Sequence, residues 1–437
     1  MADVNELPIL KEYEDSISKC FRCGLCRSVC PSFEEAGVES ASPRGRVQFA
    51  GALLDGTISL KGAFEDRMLD CLNCMKCSEI CPSGVKTDRI VLAARAELAR
   101  RGKMNLAKKL VFNTVLKNHH ALRSFSRLAA LGQKWFYNGN AVLEALVPKI
   151  SGMGDKKFPS ITEKSALKRL PEVIPARADK ILRIGYFVGC ATNLLFPEVA
   201  DATVRVLTRN NVEVVIPRGQ VCCGIPVYSS GDLRNAKDLA EQNLRVFRDL
   251  DIDCIVTDCA SCSAALKQEV HELLGVENFP APVYDLNEFL IHRITLKKNF
   301  AELPLKVTYH DPCHLKRGQG IYREPRELIK MVPGVELIEM KGADDCCGGA
   351  GTFSFTHHEL SRKVGSRKAE NIRKTGAEFV STPCPSCKMQ IDDLLHHEGI
   401  SCRTIHPVQI MDMAYRKMDE GNARSNKERD KITHEVM

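Results

Sequence analysis

Eight cysteines within the first hundred residues stand at spacings that suit very little besides metal–sulfur chemistry. Cys20, Cys23, Cys26 and Cys30 read C-x2-C-x2-C-x3-C and are followed by Pro31; Cys71, Cys74, Cys77 and Cys81 repeat the pattern and are followed by Pro82. Three thiolates this close fold a short loop around one face of an iron–sulfur cube, with backbone N–H groups turned toward the sulfurs. The fourth leads away into a helix and reaches a neighbouring cube. The spacing therefore assigns Cys20, Cys23, Cys26 and Cys81 to one [4Fe–4S] cluster, and Cys30, Cys71, Cys74 and Cys77 to a second. Zinc sites are usually built from two C-x2-C pairs rather than a triple closed by Cys-Pro.

Ten further cysteines form two matching sets: Cys190, Cys222, Cys223, Cys259 and Cys262, then Cys313, Cys346, Cys347, Cys384 and Cys387. Each set is a lone cysteine, an adjacent Cys-Cys-Gly and a closing C-x2-C, which marks a duplicated unit. Adjacent cysteines do not readily pair with each other, but they can reach two metal atoms of one cluster. Gly224 and Gly348 remove side-chain bulk beside them. A structural zinc site, which needs four thiolates rather than five, and a catalytic dithiol are the competing readings. Cys254, in an apolar strand, and Cys402 are expected to be structural thiols. His310 and His314 flank Cys313 in YHDPCHL; a hydrogen-bonding role at a strand end is the first expectation and cluster ligation the second.

The elements that must position these residues fall into blocks. Residues 1–100 hold the tightly spaced cysteines. Residues 101–180 form a basic helical segment and linker: no acidic residue occurs from Leu98 to Leu143, and apolar residues recur there at roughly helical spacing. Residues 181–300 and 301–415 are the two repeats, each alternating short β-rich runs (ILRIGYFVG, VEVVIP and DCIVTD; LKVTYHD, VELIEM and EFVSTP) with helical segments. The pattern predicts parallel strands with the cysteines at or just beyond strand ends. Residues 416–437 are highly charged and are expected to fray.

Twenty cysteines in 437 residues, with an acidic N-terminus and no basic-then-apolar leader, point to a reducing, cytoplasmic setting. No run reaches the ~18 apolar residues of a membrane-spanning helix. The net charge of +7 is concentrated in the basic segment, whose first reading is a connecting helix pair with a solvated basic face and whose second is contact with an acidic partner or, peripherally, with the inner face of a membrane; no recognised module accompanies it that would suggest nucleic acid. The sequence has neither G-x-G-x-x-G after a strand nor a P-loop, so a cofactor that accepts hydride must sit on another polypeptide.

The two C-x2-C-x2-C-x3-C-P runs and the two Cys–CCG–C-x2-C repeats, with SPRGRVQF, CPSGV, YHDPCHL and DDCCGGAGTF, resemble the iron–sulfur subunits of glycolate oxidase over nearly the whole chain. The wider family includes the catalytic subunit of heterodisulfide reductase, lactate-utilisation proteins and the small subunit of anaerobic glycerol-3-phosphate dehydrogenase. The resemblance implies an α+β multidomain fold: a helical ferredoxin-like domain for two [4Fe–4S] clusters, then two α/β cysteine-rich (CCG) domains. Carried over by position, it implies one noncubane [4Fe–4S] cluster on Cys190, Cys222, Cys223, Cys259 and Cys262, and another on Cys313, Cys346, Cys347, Cys384 and Cys387. It further implies an electron-transfer subunit, not catalytic alone, of an FAD-dependent glycolate or D-lactate dehydrogenase that delivers electrons to a quinone or another carrier. The alternatives are a disulfide-reducing catalytic subunit and the iron–sulfur subunit of a related lactate or glycerol-3-phosphate dehydrogenase.

Overall fold

In the computed structural model, residues 7–102, 116–117, 156–157, 159–162 and 164–435 are described, with side chains to residue 423. Most of the basic segment expected between Leu98 and Leu143 lies outside them.

The first block is all-helical. Its longest elements, Pro43–Leu54 and Thr87–Arg100, pack on each other and bury Val47, Ala50, Leu53, Ile90, Val91, Ala94 and Leu98. The first of these begins where the sequence offers a start signal: Ser42 accepts a hydrogen bond from the Gly45 amide at 2.9 Å and Pro43 occupies the opening turn. Glu97, fully buried, accepts the Ile9 amide at 2.8 Å and ties the N-terminal segment to the block.

The repeats form two sheets. The first contains β1 (Val173–Ile174), β2 (Leu182–Tyr186), β3 (Val212–Val215), β4 (Cys254–Thr257) and β5 (Val283–Asp285), in the order β1-β3-β2-β4-β5, parallel except for β1. The second contains β6 (Leu305–Tyr309), β7 (Val335–Leu337), β8 (Phe379–Ser381) and β9 (Arg403–Ile405), in the order β7-β6-β8-β9 and wholly parallel. Apart from the edge strand β1, the two orders are the same. In each sheet the chain winds one way from its first strand (β2 or β6) and then the other, which opens a crevice at the carboxyl ends of the strands. All of β4 is buried, as expected where both faces of a parallel sheet are covered.

One apolar core runs through both repeats, from Ile184, Val214 and Val256 to Val307, Tyr309, Leu328, Ile405 and Met411. The repeats also bond directly, the Ala260 amide donating to the Pro383 carbonyl at 2.9 Å.

Three expectations change. The linker contributes β1, whose Val173 pairs with Val215. A fourth strand (β5, β9) closes each repeat. The charged tail continues the helix Pro407–Glu435, which packs along Pro197–Arg209. Asp419 anchors it, taking Arg209 at 2.6 Å and Arg177 at 3.3 Å, and Tyr415 stacks on Phe300.

Candidate functional site

The two N-terminal cysteine loops share one backbone device. Arg22 and Gly24 in the first, and Asn73 and Met75 in the second, have positive φ. Left-handed residues in such a loop turn successive N–H groups inward as an anion-binding concavity. The Asn73 amide accordingly lies 3.4 Å from Cys71 Sγ. Three of these four residues are not glycine, a conformation that costs roughly 1–3 kcal/mol and collects at functional sites.

Cys20, Cys23, Cys26 and Cys81 line one hollow, and Cys30, Cys71, Cys74 and Cys77 line another; Cys77 borders both. Exposure falls along the row, for Cys23 is exposed whereas Cys30 and Cys74 are buried. Burial pushes the Cys74 thiol up to about 11, so holding its sulfur as thiolate there calls for compensating charge.

A cation stands beside the second hollow. Arg46 is 1% exposed; its Nη1 lies 3.8 Å from Cys30 Sγ, Nη2 donates to Ser32 Oγ at 2.9 Å and Nε donates to the Arg67 carbonyl at 2.7 Å. Among the described residues no carboxylate pairs with it. A buried unpaired guanidinium is costly unless negative charge faces it, and an anionic cluster on Cys30, Cys71, Cys74 and Cys77 would supply that charge. Arg95, also buried, donates to the carbonyls of Met68 at 3.0 Å and Ser229 at 2.8 Å, so it joins the second loop to the first repeat.

The repeats bring their cysteines together at the crevices. Cys190 follows β2, Cys222 and Cys223 follow β3, and Cys259 follows β4; Cys313, Cys346–Cys347 and Cys384 stand likewise after β6, β7 and β8. Cys190 Sγ is 3.6 Å from Cys222 Sγ. Hydrogen bonds from Cys222 and Cys262 draw the Cys223 thiol down to about 6. In the second set Cys346, then Cys387 and His310, draw Cys347 well below the ordinary thiol range. Gly224 (φ +93°) and Gly348 (φ +85°) need their glycines for backbone conformation, and a Cβ on Gly348 would collide with the Ser361 carbonyl.

The four constellations touch in a definite order. The Arg317 side chain, 2% exposed, joins Glu79 of the first block at 2.8 Å to Asp344 of the second repeat at 2.6 Å, and Lys76 pairs with Asp345 beside it. Burial, then the neighbouring Cys74, Cys384 and Cys347, push the Cys313 thiol up. Ser261, between Cys259 and Cys262, has its Oγ 3.7 Å from Cys384 Sγ. The order is thus the Cys20 hollow, the Cys30 hollow, the second repeat and finally the first.

All twenty cysteines are free thiols. Cys254 and Cys402 lie outside the four constellations; burial raises each to about 12, and Cys254 is part of the central core. His310 is brought to Cys347 and Cys387, whereas His314 keeps a buried Nδ1 with no hydrogen-bond partner among the described residues. Sequence reasoning missed Arg46, Arg95 and Arg317. Arg46 lies within SPRGRVQF, so the motif carried a signal. The others sit on ordinary helical stretches and carried none.

Residues 16–85 match the 4Fe-4S dicluster domain, and residues 184–267 and 307–392 match the cysteine-rich domain. The probable glycolate oxidase iron-sulfur subunit of Bacillus subtilis is 30% identical over 91% of this chain and 94% of its own length. The chain belongs to the family of the glycolate oxidase iron–sulfur subunits. Other relatives match it over most or about half of its length. A subunit of the fumarate reductase (CoM/CoB) of Methanothermobacter marburgensis is 32% identical over 93% of this chain and 74% of its own length. Lactate utilization protein A of Geobacillus thermodenitrificans is 32% identical over 53% of this chain and 98% of its own. The two domain matches mark this family member as an iron–sulfur protein with a helical dicluster domain and two α/β cysteine-rich domains. The donor sets fit that cofactor: grouped free thiols, inward amides and a buried guanidinium that pairs with no carboxylate among the described residues.

Proposed function

We propose that the chain is the electron-transfer subunit of an FAD-dependent 2-hydroxy acid dehydrogenase acting on glycolate or D-lactate. The observation that carries this reading is the unbroken succession of four thiol constellations, from the exposed Cys23 to the buried Cys259 and Cys262. Cys20, Cys23, Cys26 and Cys81 would hold one [4Fe–4S] cluster, and Cys30, Cys71, Cys74 and Cys77 the other. The two five-cysteine sets would each hold a noncubane cluster. Such clusters supply one-electron storage, whereas a flavin takes electrons in pairs. The chain's own residues do the rest: inward amides and Arg46 stabilise negative charge, Arg317 keeps the second hollow against the second repeat, and the buried crevices exclude water.

The names of the relatives support both the substrate class and membership of a multi-subunit oxidoreductase. The partner is then a flavoprotein, with a quinone or another carrier as acceptor. Among the described residues no helix is long and apolar enough to cross a membrane; the reading places the chain in the cytoplasm, with peripheral contact at the inner face of the membrane. The chain alone should not oxidise either acid; mixed with its flavoprotein it should pass electrons to an artificial acceptor. Cys74→Ser should stop that passage while flavin reduction by substrate continues. A Cys74 variant that still reduces the acceptor at the wild-type rate removes the chain from the electron path.

A second reading, thiol–disulfide chemistry at the cysteine-rich sites, draws support from the completeness of both five-cysteine sets and from the fumarate reductase (CoM/CoB) relative. Reduction of a disulfide by the isolated, chemically reduced chain would favour it.

A further inference from the structure

The two repeats are not equivalent at one position. Tyr186 and Tyr309 are matching fully buried residues at the ends of β2 and β6, and the residue after each differs: Phe187 in the first repeat, His310 in the second. Phe187 is fully buried among apolar neighbours. His310 is 2% exposed, and a ring nitrogen of His310 and the sulfurs of Cys347 and Cys387 all lie within 4.8 Å of one another.

The ring's other contact decides what it can offer. His310 Nδ1 is 3.1 Å from the Ala343 carbonyl oxygen. That oxygen also accepts from the Asp311 amide at 3.0 Å and from Lys368 Nζ at 3.1 Å. A carbonyl can only accept, so Nδ1 carries the proton, and in the neutral ring Nε2 keeps its lone pair. A backbone carbonyl that fixes the tautomer in this way is the usual support of a metal-bound imidazole.

We propose that His310 Nε2 is a sixth ligand to the metal group held by the second cysteine-rich set, giving that site a mixed nitrogen–sulfur shell that the first, with Phe187, lacks. This rests on the reading that Cys313, Cys346, Cys347, Cys384 and Cys387 hold an iron–sulfur cluster. It gives the two repeats different work. A neutral imidazole added to five thiolates makes the second repeat's centre, next to the Cys30 hollow, electronically distinct from that of the first, so the two should differ in potential. The first repeat, all thiolate, holds the other centre at the end of the row.

The test uses the full chain, purified without oxygen, and begins with iron and sulfide analysis. Pulsed EPR of the oxidised and reduced protein, with and without 15N-labelled histidine, then looks for a strong histidine nitrogen coupling on one centre. The expected result is one such coupling, absent from His310→Phe and retained in His314→Phe. His310→Phe should keep its iron through the five cysteines, and one midpoint potential should shift while the others stay in place. Iron and sulfide beyond those of the dicluster domain, without nitrogen coupling in any redox state or with only the weak coupling of an N–H to sulfur contact, overturn the ligand assignment alone. A total no greater than two cubane clusters overturns both the assignment and the cluster reading beneath it. Because the decisive spectrum is that of the wild-type chain, a variant that fails to fold does not shelter the proposal.

Discussion

Replacing Arg46 should shift one potential by an amount the structure sets. The guanidinium is buried, with Nη1 3.8 Å from Cys30 Sγ and no carboxylate paired with it among the described residues. An added electron spreads over the cluster rather than resting on that sulfur, so the effective separation is one iron–sulfur bond longer, roughly 6 Å. At an effective dielectric of about 20, a unit charge there stabilises the reduced state by ~3 kcal/mol. For a one-electron couple, where a tenfold change in equilibrium is 59 mV, this corresponds to ~120 mV. Arg46→Gln should therefore lower the midpoint potential of the centre on Cys30, Cys71, Cys74 and Cys77 by about 100 mV. It should also cost ~1–3 kcal/mol of stability through the Arg67 carbonyl and Ser32 hydroxyl it leaves behind. Arg46→Lys keeps the charge and should shift the potential by less than half as much. An EPR-monitored redox titration under argon reads both variants. A Gln variant with full iron content and every potential within ~20 mV of wild type would refute the electrostatic account.

Cys30→Ala should remove the EPR signal of the centre it shares with Cys71, Cys74 and Cys77 and spare the other N-terminal signal, while Cys20→Ala does the reverse; loss of one and the same signal in both variants would defeat the exchanged-ligand assignment. Gly348→Ala forces a Cβ into the Ser361 carbonyl and should cost about 3 kcal/mol, against about 1 kcal/mol for Gly224→Ala, whose Cβ would have 3.5 Å; equal losses in urea unfolding would contradict this. Burial first, with Lys388 also disfavouring the cation, depresses His406 to about 4, and both ring nitrogens are committed in the neutral form, Nε2 to the Asp258 carbonyl at 2.9 Å and Nδ1 to the Val408 amide at 3.1 Å. The unfolded chain therefore binds the extra proton first. Stability present above pH ~6.5 should fall by about 3 kcal/mol as pH drops toward 4, and His406→Gln should flatten that loss; parallel urea-stability profiles for both proteins would count against it.

The cysteine spacing made the constellations legible because thiolate ligands must sit on short loops and strand ends. The three longer strands of the first repeat were legible too, since Leu182–Tyr186, Val212–Val215 and Cys254–Thr257 lie in apolar, β-branched runs. The strands Val283–Asp285 and Arg403–Ile405 were not: they lie in runs broken by proline, charge or polar residues (APVYDL, SCRTIHP) that show no alternating apolar pattern. The tail read as frayed because its charge is visible in the sequence while Arg209 and Arg177, which neutralise Asp419, are more than two hundred residues away. The same limit hid Arg46 and Arg317, whose meaning depends on what the fold sets beside them. His310 could be seen as a candidate, but only the Ala343 carbonyl decides which of its nitrogens is available.

The central claim, that all four constellations hold iron–sulfur clusters, is tested most directly by iron and acid-labile sulfide analysis of the full chain purified without oxygen. The account predicts ~16 iron and as much sulfide per chain, with Cys347→Ala removing about a quarter. Zinc without sulfide, or iron unchanged by Cys347→Ala, would contradict it.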